Sequence, residues 1–222
     1  MRELERLKKL RNLYQLQSIG YRYFHDLPQN SASDPEITVL PDDLQKLEKE
    51  VQNCHLCGLS KTRTHVVFGE GNPRAEIMFV GEGPGQMEDE TGRPFVGRAG
   101  QLLTKIIETT LELKREEVYI ANIVKCRPPK NRVPTPEEAN TCLPYLHKQI
   151  ELVDPRIIIA LGATSYRYLT GDLNGAISKI RGEFIEFGGR KLLATFHPSY
   201  LLRNPSAKKL VYFDMLKIKA LL

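Results

Sequence analysis

The sequence predicts an α/β fold with a mainly parallel sheet that is covered by helices on both faces. Short apolar runs rich in β-branched residues alternate with longer stretches of helical periodicity. Loops rich in glycine, proline and polar residues directly follow these runs, as expected where strands end at the ligand-binding edge of a parallel sheet. The predicted strands are 76–80, 118–122, 156–161, 183–187 and 191–195.

The predicted helices separate most of these strands, which is the connection that parallel strands require. Gly188-Gly189-Arg190 joins the last two strands, and this sequence favours a hairpin instead. Pro41 suits the start of the first helix. The predicted helices are 42–53, 98–113, 135–152, 164–170 and 207–221.

The first 41 residues differ in character from the rest. Leucines recur at three-residue steps within 4–19, with charged residues between them, which indicates an amphipathic helix. Residues 27–41 are rich in proline and serine and are typical of a linker. The helix could pair with a partner helix or dock on its own domain, and we favour docking. We therefore predict an extension over 1–41 and one domain over 42–222.

Composition limits the classes of function. The chain has 222 residues, 41% of them hydrophobic, and a formal net charge of +5 with an isoelectric point near 9.0. This charge favours nucleic acid or an acidic membrane surface as partner, although soluble proteins without such partners also reach it. No apolar run is long enough to span a bilayer, and the N-terminus is too charged for a signal peptide. We expect a cytoplasmic protein that does not enter the membrane.

Four cysteines are candidate metal ligands. Cys54 and Cys57 form a C-x-x-C pair, whereas Cys126 and Cys142 stand alone farther along the chain. In a reducing compartment such residues are more often ligands or buried thiols than disulfides. The spacing alone leaves zinc, an iron–sulfur cluster and unrelated thiols open, and the missing second C-x-x-C argues against a zinc ribbon.

The loop Gly81-Glu82-Gly83-Pro84-Gly85 follows the first predicted strand. Gln86 occupies the place of the last glycine of a dinucleotide-binding motif, and no Gly-Lys-Ser/Thr follows as in a phosphate-binding loop. The glycines instead indicate that a flat ligand approaches bare backbone. Four carboxylates lie close together, and at least one should face developing positive charge or a water molecule, whereas Asp89 and Glu90 fit a solvated turn. The four are Glu82, Glu88, Asp89 and Glu90.

Further loop residues suit nucleic acid. Phe95 could stack on a base, or be part of the core, and Asn122 at a strand end could bind the edge of a base, or form a turn. The proline-rich loop 125–134 is basic and suits phosphates. The segment 196–204 combines an imidazole, His197, with a hydroxyl and an arginine.

Together, these motifs resemble the family 4 (iron–sulfur) uracil-DNA glycosylases from about residue 44 to the C-terminus. The resemblance implies a three-layer αβα sandwich with a central, mainly parallel four-stranded sheet. It also implies a monomer that flips uracil out of single- or double-stranded DNA and hydrolyses its N-glycosidic bond. The matching segments are Cys54-His-Leu-Cys57, Gly81-Glu-Gly-Pro-Gly85, Gly92-Arg-Pro-Phe-Val-Gly-Arg-Ala-Gly-Gln-Leu-Leu103, Asn122-Ile-Val-Lys-Cys-Arg-Pro-Pro129, Cys142-Leu-Pro144 and His197-Pro-Ser-Tyr-Leu-Leu-Arg203.

The resemblance also implies roles at the base and the sugar. Phe95 would stack on the flipped uracil, Asn122 would bind its pairing edge, and His197 would donate to its O2 atom. Glu82 and Glu88 would stabilise the cationic sugar or position the water. The best-known uracil glycosylases carry an aspartate where this chain has Gly83, so the division of work between the two glutamates stays open. Gly81 and Gly83 would give the base room beside the backbone.

Two further groups of residues follow from the same resemblance. The four cysteines would bind a [4Fe–4S] cluster, which replaces zinc as the expected metal group. The DNA would be held at its phosphates by Ser199, Arg203, Lys130 and Arg132, and Leu201 would wedge into the gap left by the base.

Two other classes of function compete with a glycosylase. One is a non-catalytic iron–sulfur module that binds DNA next to the replication machinery, and the other is a zinc-bound nucleotide hydrolase. The presence of Phe95, Asn122 and His197 together favours an enzyme, because a pure DNA-binding module does not need all three. Some divergent relatives capture uracil covalently with a histidine in the loop that here spans 127–134, and this loop has none.

Overall fold

A computed structural model of the chain describes residues 40–222. The predicted N-terminal helix over 4–19 and nearly all of the predicted linker lie outside the described residues. None of the helices in the described part of the chain is both long and apolar enough to cross a membrane.

The centre of the fold is a mixed sheet of six strands in the order β1-β3-β2-β4-β6-β5. The four central strands are parallel, and the two edge strands are antiparallel to their neighbours. The predicted number of four strands is therefore correct for the parallel part and wrong for the whole sheet. The strands are β1 (Glu70–Gly71), β2 (Ile77–Gly81), β3 (Tyr119–Asn122), β4 (Ile157–Leu161), β5 (Phe184–Phe187) and β6 (Arg190–Thr195).

Eight α-helices surround the sheet in the described range, and five of them match the predicted helices. The stretch predicted as one helix over 98–113 changes to a wider π-turn at Ile107–Leu111. The three helices that were not predicted have only four to six residues, too few to show a helical period. The helices are α1 (Leu44–Gln52), α2 (Gln86–Thr91), α3 (Arg98–Ile106), α4 (Pro136–Val153), α5 (Ala163–Thr170), α6 (Ile177–Ile180), α7 (Pro198–Arg203) and α8 (Lys208–Lys219).

Two apolar clusters lie on opposite faces of the sheet and create the three-layer αβα sandwich. Alternate residues of a strand point to opposite faces, so Met78 and Val80 join one cluster while Ile77 and Phe79 join the other. Helices α1, α4 and α5 cover the first face, and α3, α7 and α8 cover the second. The near-continuous apolar strands of the sequence are explained by this burial on both faces.

Local signals fix several element ends. The Asp43 side chain accepts a hydrogen bond of 2.8 Å from the Lys46 backbone N–H and caps α1. Gly188 and Gly189 both have positive φ angles, +55° and +81°, and form the two-residue turn of the predicted hairpin. Because β2, β3, β4 and β6 run in parallel, their C-terminal ends meet at one edge of the sheet, and the loops that leave them meet there too.

Candidate active site

A pocket of about 520 Å³ lies at this edge of the sheet. Its walls are the loops that follow β2, β3, β4 and β6, so residues distant in sequence come together. Most of the predicted site residues outside the cysteine set line this pocket. These are Glu82, Gly83, Glu88, Phe95, Asn122, Arg132, His197, Ser199 and Arg203.

Asn122 ends β3 and lies at the bottom of this pocket. Its side chain is 1% exposed, and its Oδ1 atom has no hydrogen-bond partner within the described residues. Gly81, its register partner on β2, makes this position possible, because a Cβ atom on Gly81 would lie 2.4 Å from Asn122 Oδ1 and 2.5 Å from Phe95 Cζ. A buried amide oxygen without a partner is costly, and because Asn122 lines the pocket, a ligand bound there could supply the partner.

Phe95 is buried and has a left-handed backbone conformation, with φ at +51°. Its ring centroid lies 5.7 Å from that of His197. A non-glycine residue is rare in this conformation and needs support from its surroundings. The close approach of Gly100 is part of that support, because a Cβ atom there would lie 1.9 Å from the Phe95 carbonyl oxygen.

His197 precedes α7 and caps it. Its Nδ1 atom accepts a hydrogen bond of 3.1 Å from the Ser199 backbone N–H and lies 2.8 Å from the Ser199 hydroxyl. Burial, reinforced by the charge of Arg203 and opposed by Glu88, lowers the pKa of His197 to about 4. The imidazole is therefore neutral at pH 7. Because Nδ1 accepts, the proton is on Nε2, which is a hydrogen-bond donor.

The two glutamates of the pocket have different surroundings. Glu88 Oε1 accepts hydrogen bonds of 2.9 Å from the backbone N–H groups of Val96 and Gly97, and its Oε2 accepts one of 3.1 Å from Gly85. Glu88 thus connects the glycine loop to the loop that carries Phe95. In contrast, the Glu82 carboxylate has neither a hydrogen bond nor an ion pair to any residue between 40 and 222.

The neighbouring carboxylates also differ from each other. Asp89, interpreted above as part of a solvated turn, is 3% exposed and accepts a hydrogen bond of 2.9 Å from the Thr64 backbone N–H. That interpretation is wrong, because Asp89 lies on the inner face of α2 and anchors the segment after the C-x-x-C pair. Glu90 is exposed, and its Oε1 atom accepts a hydrogen bond of 2.8 Å from the side chain of Gln86, as a surface residue would.

The structure contradicts the predicted wedge. Leu201 is fully buried in the apolar cluster beneath α7, whereas its neighbours Tyr200 and Leu202 are each 38% exposed. The helical turn of α7 decides this outcome, because it directs only one of three consecutive side chains into the core.

The predicted phosphate-binding residues differ in whether they line the pocket and in whether an ion pair already holds them. Arg203 is exposed at the pocket and has no hydrogen bond or ion pair to the described residues. Arg132 is held in a two-point ion pair by Glu138, at 2.7 and 2.8 Å. Lys130 is exposed on a turn with φ at +55° and does not line the pocket.

The four cysteines line a second, smaller cavity, and none of them forms a disulfide. The Arg63 guanidinium donates to Cys126 Sγ at 3.2 Å, and the Lys125 backbone N–H donates to Cys142 Sγ at 3.3 Å. Burial raises the pKa of Cys142 to about 12, although the charge of Lys125 opposes this shift. Positive charge and N–H donors around sulfur are what bound thiolates require.

No three histidine, cysteine or acidic side chains in the described range are arranged to hold a single metal ion. The donor set at the cavity, four sulfur atoms and no other ligand type, matches iron–sulfur clusters as well as structural zinc.

Lys125 connects the two cavities. It is 1% exposed, and its Nζ atom donates to the Asn122 backbone carbonyl at 2.9 Å and to Gln149 Oε1. Gln149 in turn donates to the Phe68 carbonyl at 3.0 Å. These roles of Lys125 and Gln149 were not predicted, although a lysine inside an apolar run after a strand is a detectable signal.

Residues 68–217 match the family model of the uracil DNA glycosylase superfamily (UDG). A type-4 uracil-DNA glycosylase of Thermotoga maritima is 49% identical over 180 residues, 80% of this chain and 93% of the relative. One of Saccharolobus solfataricus is 48% identical over 185 residues, 80% and 86% of the two chains. One of Sulfurisphaera tokodaii is 45% identical over 187 residues, 81% and 85% of the two chains. The chain belongs to the uracil-DNA glycosylase superfamily.

Proposed function

We propose that this chain is a DNA repair glycosylase that flips uracil out of DNA and hydrolyses its N-glycosidic bond, leaving an abasic site. The observation that carries the proposal is the buried Asn122 amide, which shares a pocket with Phe95 and His197 and whose Oδ1 atom has no partner among residues 40–222. An amide can accept from uracil N3–H and donate to O4 at the same time. The similarity to type-4 uracil-DNA glycosylases supports the same reaction.

The base side of the reaction depends on a neutral donor. Phe95 stacks on the uracil ring, and His197 donates from Nε2 to O2. As the C1′–N1 bond breaks, its electron pair moves onto the uracil, and negative charge develops at O2. A hydrogen bond directed at that oxygen is stronger in the transition state than in the ground state, so it accelerates the reaction.

The sugar side depends on negative charge, because C1′ becomes cationic. Glu82 is the better candidate for this role, since its carboxylate is free to face the sugar and to take a proton from the attacking water. Glu88 shares the pocket, but its oxygens already accept three backbone N–H groups. We assign Glu88 mainly to holding the Phe95 loop in place.

The DNA backbone is held around the pocket. Arg203 and Ser199 are the main phosphate-binding candidates, with Lys130 and Arg132 at the periphery of the contact. Tyr200 replaces Leu201 as the side chain that can enter the space left by the flipped base, because it is 38% exposed and lines the pocket with His197.

A [4Fe–4S] cluster is the metal group that we propose for Cys54, Cys57, Cys126 and Cys142. The four sulfur donors at this cavity fit such a cluster, and the resemblance of the sequence to the iron–sulfur uracil-DNA glycosylases favours it over zinc. When bound, it would tie the C-x-x-C segment to α4 and to the loop after Asn122. Equimolar zinc, with no iron or sulfide, in purified protein would contradict this assignment.

The decisive experiment is incubation with an oligonucleotide that contains one uracil, followed by alkaline cleavage of abasic sites. We expect strand scission on single- or double-stranded substrate and none on the matched thymine oligonucleotide. Binding without excision by folded, cluster-loaded protein would instead support a non-catalytic DNA-binding module. A monomer acting in the cytoplasm is part of the proposal, and gel filtration with light scattering tests the monomer.

A further inference from the structure

Arg115 makes a set of contacts behind the pocket that the proposed reaction does not use. Its side chain is only 15% exposed. One Nη atom donates to the Pro94 carbonyl at 2.6 Å, the other donates to the Thr104 hydroxyl at 3.0 Å, and Nε donates to Glu70 at 3.2 Å. Arg115 therefore ties the Phe95 loop to α3 and to the edge strand β1.

These contacts support a strained residue. Pro94 immediately precedes Phe95, whose left-handed backbone is disfavoured for a bulky side chain. On the C-terminal side of Phe95, Glu88 accepts from the N–H groups of Val96 and Gly97. On the N-terminal side, Arg115 holds the Pro94 carbonyl. The peptide that carries the ring is thus fixed at both ends by charged groups.

We propose that Arg115 is a positioning residue that keeps Phe95 in the conformation that stacks on the flipped base. The proposal rests on the proposed function, because stacking on uracil gives the position of the ring its purpose. Arginine suits this task, since its planar fork reaches three acceptors in three different elements, whereas a lysine ammonium on a flexible chain would not hold all three in one geometry.

The hydrogen bond from Arg115 to the Pro94 carbonyl has a measurable consequence for uracil binding. Without Arg115, the Phe95 backbone can relax towards negative φ, and the ring leaves its place between Gly81 and His197. Uracil then binds only to the fraction of molecules that keep the ring in place, so its apparent affinity falls by that fraction. A strain of the usual size for such a residue corresponds to a loss of about tenfold.

The chain offers a matched control. Arg93 also pairs with Glu70, at 2.7 and 3.0 Å, but it is 61% exposed and makes no hydrogen bond to Pro94. Arg115→Met should raise the inhibition constant of free uracil about tenfold, with affinity for abasic-site DNA, which lacks the base, within about twofold of wild type. Arg93→Met should leave both values within about twofold. A general loss of structure would weaken both ligands together.

A spectroscopic measurement makes the test independent of activity. In protein labelled with 4-fluorophenylalanine, Phe95→Leu identifies the Phe95 signal among those of the eight phenylalanines. Arg115→Met should shift or broaden that signal, and Arg93→Met should not. If Arg115→Met does not fold, Arg115→Lys provides the same two measurements.

An unchanged uracil inhibition constant together with an unchanged Phe95 signal would overturn the proposal. Failure of the wild-type protein to bind uracil would contradict the proposed function instead, and the Phe95 signal would still test whether Arg115 holds the loop.

Discussion

The segment 122–128 contributes residues to both the pocket and the cysteine cavity, yet the polar groups of the two regions differ in how far their hydrogen bonds are satisfied. In the pocket, Asn122 Oδ1 has no partner and Glu82 makes no ion pair within the described residues. Around the cysteines, Lys125 donates to two oxygens, and Arg63 donates to one thiol and two backbone carbonyls. The two regions therefore have different tasks: the pocket leaves Asn122 Oδ1 available to a ligand, whereas the satisfied groups around the cysteines fix the shape of that region.

The largest loss of activity should come from a substitution in the pocket. His197→Ala removes the donor to uracil O2, and we expect kcat to fall about 100- to 1000-fold. Affinity for DNA that carries an uncleavable uracil analogue should be retained, as single-turnover kinetics and anisotropy can measure. His147 on α4 stacks on Phe187 and does not line the pocket, so His147→Ala is a control that should keep kcat. Near-wild-type turnover by His197→Ala would remove this residue from the mechanism.

The two glutamates should separate chemistry from structure within the pocket itself. Glu82→Gln should lower kcat about 100-fold without changing the melting temperature, because its carboxylate acts only on the reacting groups. Glu88→Gln places an amide donor against backbone donors, which should cost about 1 kcal/mol of stability and weaken uracil binding. The reverse pattern, with Glu88→Gln inactive but fully stable, would exchange the two roles.

A change beside the cysteine cavity should cost stability and little chemistry. Gln149→Leu leaves the buried Lys125 ammonium without one of its acceptors, and we expect a loss of about 1–3 kcal/mol. Thermal unfolding should therefore begin several degrees lower, while kcat at 25 °C stays within a few-fold of wild type. A kcat loss as large as that of His197→Ala would contradict this separation of the two regions.

The stability of the fold should also depend on pH through two buried histidines, one outside the pocket and one inside it. His147 and His197 both have pKa values of about 4, lowered mainly by burial from an ordinary value of 6.5. Between pH 6.5 and 4 the unfolded chain binds more protons than the folded one, so the free energy of unfolding should fall as the pH falls through this range. NMR titration of the imidazoles should show no midpoint near 6.5 for either residue.

The smallest effect, a change in DNA affinity, should come from the basic residues at the rim of the pocket. Arg203→Ala should reduce the slope of log affinity against log salt by about 0.7–0.9, the value of one phosphate contact. Arg132→Ala should reduce it less, because Glu138 already neutralises this arginine. Glu138→Gln should then strengthen DNA binding, and equal slopes for the two arginine variants would contradict the difference.

Much of this arrangement could be predicted from the sequence. The parallel strands were visible because burial on both faces makes them continuously apolar, and the loops after them carried Glu82, Asn122 and His197. Strand β1, with two residues, left no pattern to detect. The side on which Leu201 lies depends on the position of α7 over the core, which no local pattern encodes.

Contacts between distant segments account for the remaining differences. Arg115 lies far from Pro94 in sequence, and nothing around Arg115 indicates that it binds a carbonyl there. The interpretation of Asp89 as part of a solvated turn was wrong for the same reason, because the side chain of Asp89 accepts from the backbone N–H groups of Thr64 and His65. Such hydrogen bonds use groups that every residue has, so they leave no mark on composition or period.

The strand order β3-β2-β4-β6 also has a consequence for how the protein acquires activity. Each of these parallel contacts joins segments that are separated by long crossover connections, and such pairings form slowly during folding. Glu82, Asn122 and His197 lie at the ends of different strands, so they meet only when the sheet is complete. A partly folded chain would have helices and hairpins but no pocket. Recovered glycosylase activity should therefore follow the last step of refolding.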